Sequence, residues 1–243
     1  MSISVCIPTY NGEKYIKDQL ISILSQLSID DEVIISDNGS DDKTLDIINS
    51  FDDKRIKVYN FSKKKNVIFN IENALLKANG NYIFLSDQDD VWLEGKVNKM
   101  MVEFKDHTHI IMSEAVVVDS DLNTIYHSMS EWRSYRYGFF YNLFRSRYLG
   151  CCMAFDRYFL NQIIPFPESI KAHDVWIGLY GEINRYIKYI SEPLILYRRH
   201  ETNLSSVSLK SNNSLFSMFK YRLYFLVVTT KRYIYNKTKK NDL

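Results

Sequence analysis

Glycine and proline are scarce in this chain, at 8 and 4 of 243 residues. So few chain breakers leave little room for long flexible linkers. Neither GxGxxG nor GxxxxGK[ST] occurs, so no glycine-rich loop cradles a phosphate. That argues against a dinucleotide dehydrogenase and against a P-loop nucleoside triphosphatase. Cysteine is also rare: Cys6, Cys151 and Cys152 are odd in number and two are adjacent. No disulfide framework follows, and a reducing compartment fits best. His107, His109, His127, His173 and His200 are scattered, and no Cys/His spacing for zinc is present. Net charge is only +2, which gives no reason to expect a nucleic-acid partner. No apolar run approaches the roughly 20 residues of a membrane-spanning helix. The opening Met1-Ser2-Ile3-Ser4-Val5 lacks the basic and long apolar regions of a signal peptide. A cytoplasmic protein is expected.

What is present is ordinary globular material, 46% hydrophobic and 25% charged, with 18 tyrosines. The length suits one large domain, or one domain with an appendage, and suffices for a sizeable core. No internal repeat is visible. The low-complexity stretches are Lys63-Lys64-Lys65 and a Ser/Asn-rich patch near residues 205–214.

The first half alternates. Ile3–Ile7 reads as a buried strand, and Ile16, Leu20, Ile23, Leu24 and Leu27 predict a helix over 13–26. Glu32–Ser36 is a second strand, followed by a turn at Asp37–Asp42 and a helix with Leu45, Ile48 and Phe51 inward. Ile56–Tyr59 is a third strand. Ile68, Ile71, Leu75 and Ala78 mark another helix, with Gly80 as its expected C-cap. The run Tyr82-Ile83-Phe84-Leu85 closes the series. Such alternation implies parallel strands with right-handed crossovers, and ligands of these sheets bind beyond the carboxyl ends of the strands. That rule gathers Pro8-Thr9-Tyr10-Asn11, Asp37-Asn38-Gly39 and Asp87-Gln88-Asp89-Asp90 on one rim.

Asp87-Gln88-Asp89-Asp90 packs three carboxylates where a buried strand meets solvent. Such a cluster is costly unless a cation or donors neutralise it. A hard divalent ion bridged to a diphosphate is one solution, and an acidic turn capping a helix near Trp92 is another. Asp37 could accept from the imide of uracil or thymine, or close an Asx turn.

Beyond residue 107 the pattern changes. Ile110–Met112, Ala115–Val118, Cys151–Phe155 and Pro193–Tyr197 read as strands. His173-Asp174-Val175-Trp176 opens a helix running to about Arg185. Asp174 suits a general base or a helix N-terminus. Trp176 suits a sugar platform or a core aromatic. Arg198-Arg199-His200 offers planar donors for pyrophosphate, or a solvated edge. Residues 129–148 mix aromatic and basic side chains, Trp132 among them. From Leu215 on, Phe219, Leu223, Leu226 and Tyr233 fall near one helical stripe amid Lys220, Arg222, Lys231, Arg232, Lys237, Lys239 and Lys240. That pattern suits an anionic membrane surface, or a helix packed on the domain with a solvated basic tail.

Three segments in order carry a family likeness. They are Val5-Cys6-Ile7-Pro8-Thr9-Tyr10-Asn11, Ile35-Ser36-Asp37-Asn38-Gly39-Ser40-Asp41-Asp42, and Phe84-Leu85-Ser86-Asp87-Gln88-Asp89-Asp90-Val91-Trp92. Together they resemble family 2 glycosyltransferases with the GT-A fold. His173-Asp174 and Tyr197-Arg198-Arg199-His200 resemble the bacterial branch that builds O-antigen and capsular polysaccharides. The likeness spans about residues 3–204.

The resemblance implies an α/β GT-A fold: a Rossmann-like, mostly parallel central sheet flanked by helices. A catalytic domain over 1–204, with a nucleotide-sugar half at 1–106 and an acceptor half at 107–204, would precede a basic amphipathic helical segment at 205–243. It implies inverting transfer from a nucleotide-sugar, dependent on Mn²⁺ or Mg²⁺. By match to the motifs, Asp37 contacts the base. Pro8, Thr9, Tyr10, Asn38, Asp87, Gln88 and Arg199 line the nucleotide-sugar site. Asp89, Asp87 and His200 hold the metal, Asp89 most directly. Asp174 is the catalytic base, and Trp132, Trp176 and His173 meet the acceptor. Two departures stand out: Asn38 sits where many relatives have a second acid, and Val175 where close relatives often have an aromatic.

The implied partners are a nucleotide-sugar, a polyprenyl-diphosphate-linked glycan and an anionic membrane surface on the inner face of the plasma membrane. UDP-galactose is the first expectation for the donor, followed by UDP-N-acetylhexosamine, UDP-glucose and dTDP-rhamnose. A non-catalytic glycan-binding module and a sugar nucleotidyltransferase are the rival readings. The intact carboxylates speak against the first, and the missing glycine-rich signature against the second.

Overall fold

The computed structural model describes residues 1–61, 66–133, 138–200 and 215–241. In chain order, β1 (Ile3–Thr9), α1 (Ile16–Leu24), β2 (Glu32–Asp37), α2 (Thr44–Asn49), β3 (Ile56–Asn60), α3 (Val67–Lys77) and β4 (Tyr82–Leu85) form the first half. They are followed by β5 (Val91–Trp92), α4 (Lys96–Met101), β6 (Ile110–Val118), β7 (Thr124–Tyr126), α5 (Met129–Trp132) and α6 (Phe139–Phe144). The chain continues with β8 (Met153–Asp156), α7 (Arg157–Ile163), α8 (His173–Asn184), β9 (Ile187–Arg198) and α9 (Leu215–Asn241).

One mixed sheet runs in the order β3-β2-β1-β4-β8-β6-β9-β5, with β7 added on β6. β1 and β2 are buried along their whole length, as expected of strands covered on both faces. β1, β2, β3 and β4 are mutually parallel, and β6 is parallel to β9. β8 runs antiparallel to both β4 and β6, and so joins the two parallel groups. From β1 the chain moves outward to β3, then returns to place β4 on the other side of β1. The strand order therefore reverses at β1/β4, where such sheets open a ligand crevice.

Several boundaries differ from the sequence reading. The last strand starts at Ile187, ahead of Pro193, because a register shift beside Ser113 and Glu114 absorbs the proline. The two segments over 110–118 are one strand. Cys151 and Cys152 belong to a 3-10 turn, not to a strand. No helix starts near Trp92: Val91 and Trp92 pair with β9, and α4 begins at Lys96. Gly80 is not a C-cap. The cap residue of α3 is the extended Ala78, and Gly80 is needed because a Cβ there would lie 2.6 Å from Ser4 N. The Lys63–Lys65 run, Tyr135–Tyr137 and the Ser/Asn patch lie outside the described residues.

α9 packs on the domain through one face. Phe225 and Thr229 are buried. Arg232 donates to the carbonyls of Gln162, Ile164 and Pro165, at 2.9, 3.2 and 2.7 Å. Those carbonyls lie at and just past the end of α7, where unpaired helix acceptors favour a cation. Asn236 Nδ2 donates to Tyr180 Oη at 2.7 Å. Phe219 and Leu223, read as part of one stripe, belong to the opposite, outward face together with Val227 and Ile234. No helix among the described residues is long and apolar enough to cross a membrane.

Because Phe225 fills a buried site, Phe225→Ala should cost about 3–5 kcal/mol. Phe219→Ala should stay within about 0.5 kcal/mol. Denaturant unfolding followed by circular dichroism checks both, and equal costs would contradict the packing face.

Candidate active site

The rim at the carboxyl ends of β1, β2 and β4 is braced by short polar side chains. Asp37 ends β2 with a fully buried carboxylate. One oxygen accepts from Thr9 Oγ1 at 2.8 Å and Ser40 Oγ at 2.6 Å. The other accepts from the amides of Gly39 and Ser40 at 3.0 and 2.8 Å. Gly39 adopts φ +79°, which glycine takes without strain. Both of its oxygens are thus spent on an Asx-type turn. The buried carboxylate thus shapes the turn at the place where the family likeness puts the base. Thr9, 1% exposed, spends its hydroxyl on the same task, and Pro8 is buried in β1. Asn38 ties the turn onward, donating to Phe61 O and accepting from Asn66 N.

Gln88 is a clamp. Its Oε1 accepts from Tyr10 N at 2.9 Å and its Nε2 donates to Tyr10 O at 3.1 Å. The β1 and β4 loops are thereby locked together. Gly12 makes room, since a Cβ there would come within 2.5 Å of Gln88 Oε1. Tyr10 itself leaves its ring 43% exposed at the mouth.

The acidic segment is held from below by two cations that sequence reasoning did not assign to it. Arg198 is 3% exposed. Its Nε donates to Asp89 O at 2.8 Å, and a terminal nitrogen donates to Ser120 O at 2.7 Å. Its backbone N–H donates to Asp90 Oδ1 at 2.9 Å. This arginine is a buried brace, neither of the two roles, pyrophosphate donor or solvated edge, that the sequence left open for the Arg198–His200 run. Lys96 is fully buried, donates to Cys151 O at 2.8 Å and lies 4.7 Å from the Trp92 ring centre. It acts electrostatically on Asp87 and Asp90, while burial pulls its own pKa down. Its position four residues before the inward Met100 was a readable signal. Asp90, expected to cap a helix, is instead fully buried beneath the rim.

Asp89 and His200, both expected to hold the metal, meet Oδ2 to Nε2 at 2.7 Å. One ligand atom each from Asp87, Asp90 and Cys151 lies within 4.8 Å of the others. Asp90 Oδ2 is buried with no hydrogen-bond partner. An orphaned carboxylate oxygen beside two further carboxylates is the donor set a hard divalent cation prefers, so the residues present fit one. Burial, reinforced by the carboxylates of Asp89 and Asp174, pushes Asp87 up to about 7. Asp90 is raised well above the usual range, first by burial and then by Asp89 and Asp87.

Asp174 and His173 open α8. Burial raises the Asp174 pKa, partly offset by His173 and by the Val175 N–H, which donates to Oδ1 at 2.8 Å. Burial lowers that of His173. Gly150 lets the imidazole sit close, since a Cβ there would lie 2.7 Å from His173 Nε2. Asp174 acts on both Asp87 and Tyr221, so α9 reaches the same neighbourhood. Trp176 does not: it is fully buried, and its indole N–H donates to Ile163 O at 3.1 Å. Its expected acceptor role is corrected to a core role, because no part of the ring is accessible. Trp132 is half-buried, stacked with Tyr126 at 5.9 Å and 18°. The Arg199 guanidinium lies 5.5 Å from the Trp132 ring centre.

Residues 4–164 match the family described as "Glycosyl transferase family 2". The chain belongs to that family. It is a glycosyltransferase. The "dTDP-rhamnosyl transferase RfbG" of Shigella flexneri is 27% identical, over 91% of this chain and 81% of that protein. The "Abequosyltransferase RfbV" of Salmonella typhimurium is 26% identical, over 82% of this chain and 67% of that protein. S. aureus TarS 1-349 shares the fold at a TM-score of 0.65 and 23% identity, over 82% of this chain and 60% of that one. In the TarS complex with UDP-GlcNAc the TM-score is 0.69 at 20% identity, over 93% and 67%. The sheet described above is therefore the expected GT-A type.

A carboxyl whose pKa is raised in the fold favours the folded state in acid. That contribution is lost as pH rises from Asp87's ordinary range, near 3.9, toward about 7. In EDTA, the thermal midpoint should accordingly fall between about pH 4 and pH 7, and Mg²⁺ or Mn²⁺ should restore it. Lys96→Met should steepen the fall by leaving the carboxylates uncompensated. A midpoint indifferent to pH and metal would contradict this reading of the cluster.

Proposed function

We propose that this chain is an inverting glycosyltransferase acting on a lipid-diphosphate-linked oligosaccharide during assembly of a bacterial surface polysaccharide. The observation that carries the reading is Asp174. It sits at the start of α8 with a raised pKa, within electrostatic reach of the Asp87–Asp90 rim. A carboxylate of raised pKa is the stronger base. It would take the proton from the acceptor hydroxyl as that oxygen attacks the anomeric carbon, so no covalent nucleophile is needed. Asp89, His200 and Asp87, with Asp90 Oδ2 behind them, would hold Mn²⁺ or Mg²⁺. When bound, that ion supplies positive charge against the leaving diphosphate.

Tyr10 and the Asp37 turn frame the nucleotide side of the rim. For the donor, the name of the Shigella relative supports testing dTDP-rhamnose first, ahead of the expected UDP-galactose. The outward face of α9 supports docking on an anionic cytoplasmic leaflet. Phe219, Leu223, Val227 and Ile234 form an exposed apolar stripe, and Lys220 and Lys231 are exposed beside it.

Asp174→Asn should lower transfer by about a thousandfold or more while leaving the nucleotide-induced thermal shift intact. Normal turnover by that variant would sink the assignment. A panel of nucleotide-sugars with Mn²⁺, read by thermal shift, identifies the donor, because a selective ligand raises apparent stability by mass action. Cosedimentation with phosphatidylglycerol vesicles should be lost at high salt and in a Lys220→Gln/Lys231→Gln double variant. Equal binding to phosphatidylcholine would refute the electrostatic part.

A further inference from the structure

Helix α1 turns one side toward the acidic segment and meets it at successive points. Positions 15, 18, 19 and 22 share one helical face. Ser22 Oγ accepts from Trp92 N at 3.0 Å. Gln19, fully buried, donates to Ser86 Oγ. Asp18 Oδ2 lies 3.4 Å from a terminal nitrogen of Arg198. Just past the helix, Gln26 Nε2 donates to Leu93 O at 3.1 Å. At its other end this face finishes on Tyr15, the N-cap residue, which is 7% exposed.

Tyr15 contributes a ring where its neighbours contribute polar atoms. The Arg198 guanidinium lies 4.5 Å from the ring centre, and the His200 imidazole centre lies 4.8 Å away at 33°. These two groups hold Asp89 from both ends. Arg198 Nε donates to its carbonyl at 2.8 Å, and His200 Nε2 meets its Oδ2 at 2.7 Å. A buried guanidinium over a ring face is attracted by the ring's negative face. His200 lies two residues past the end of β9. A side chain so placed needs packing of its own to hold one rotamer, and the Tyr15 ring supplies it.

We propose that Tyr15 is a positioning residue for the divalent cation, fixing the plane of the His200 ring and seating Arg198 beneath Asp89. The inference rests on the metal role proposed above for Asp89 and His200. Tyr15 acts through those side chains and not on the reacting atoms. A tyrosine that only filled the core would lower stability when removed and leave metal affinity alone.

The probe is Mn²⁺ alone, its binding read as loss of the free-ion electron paramagnetic resonance signal. Tyr15→Phe keeps the ring and should bind within about twofold of the unsubstituted protein. Tyr15→Leu should bind about tenfold more weakly or worse, the loss seen when a group that orients a metal ligand is removed. The thermal midpoint in EDTA is the folding control, and Tyr15→Met stands in should Tyr15→Leu not fold. In a His200→Ala background the cost of Tyr15→Leu should shrink to about threefold or less, because the ligand it orients has gone. Fully additive losses, or an unchanged Mn²⁺ affinity in Tyr15→Leu, would overturn the proposal. If either is found while the unsubstituted protein binds Mn²⁺ and transfers sugar, the role of Tyr15 fails and the functional reading stands. If the unsubstituted protein binds no Mn²⁺, the metal reading fails and the role of Tyr15 with it.

Discussion

Negative charge crowded into four residues sets the terms for the rest of the site. Asp87, Asp89 and Asp90 follow a buried strand, and their mutual repulsion has to be met from inside the protein before any ligand arrives. Two cations meet it. Arg198 comes from the end of β9 and takes up the Asp89 carbonyl and, through its own amide, the Asp90 carboxylate. Lys96 comes from α4 and lies under Asp87 and Asp90. Each costs desolvation energy that the carboxylates repay in part. What remains is one buried oxygen of Asp90 with no hydrogen-bond partner, beside the carboxylates of Asp87 and Asp89, the latter paired with His200. The rim is therefore balanced from beneath and left electron-rich above, on the side where a cation and a diphosphate would enter.

The two halves of the sheet divide the labour. The parallel group β1–β4 supplies the rim, and β6 with β9 supplies Arg198, Arg199 and His200. The antiparallel β8 joins them, and the 3-10 turn before it brings Cys151 against Asp87 and Asp90. α8 then places Asp174 facing the rim. The groups proposed to face substrate thus come from elements far apart in sequence but adjacent at one edge, where the strand order reverses.

The first half of the fold was legible because its signals are local: apolar runs of strand length, helical spacing, and polar turns after each strand. The convergence of Thr9, Asp37 and Asp87 on one rim followed from topology. Motif likeness gave Asp89 and His200 a shared metal role, and the geometry brings the two side chains together. The errors have physical sources. Pro193 reads as a strand start until a register shift in the neighbouring strand removes the need for its missing N–H. Trp176 carries the chemistry of a sugar platform, and only packing reveals that its surface is used up. The bracing of Asp37 by the Thr9 and Ser40 hydroxyls and by the Gly39 and Ser40 amides is likewise invisible in the sequence. Lys96 and Arg198 look like surface charges, because burial of a cation depends on carboxylates that only the fold places beside it.

The reach of α9 has a temporal side. Every donor-side group, from Thr9 to His200, precedes the helix in the chain. Tyr221, which lies near Asp174, follows it into α9. Domains condense as their segments emerge during synthesis. A nascent chain could thus complete its nucleotide side while Asp174, the proposed base, still lacks its last neighbour. Competence to use an acceptor would arrive only as α9 docks, and Arg232 bonding to the carbonyls of Gln162, Ile164 and Pro165 would be the step that seals it.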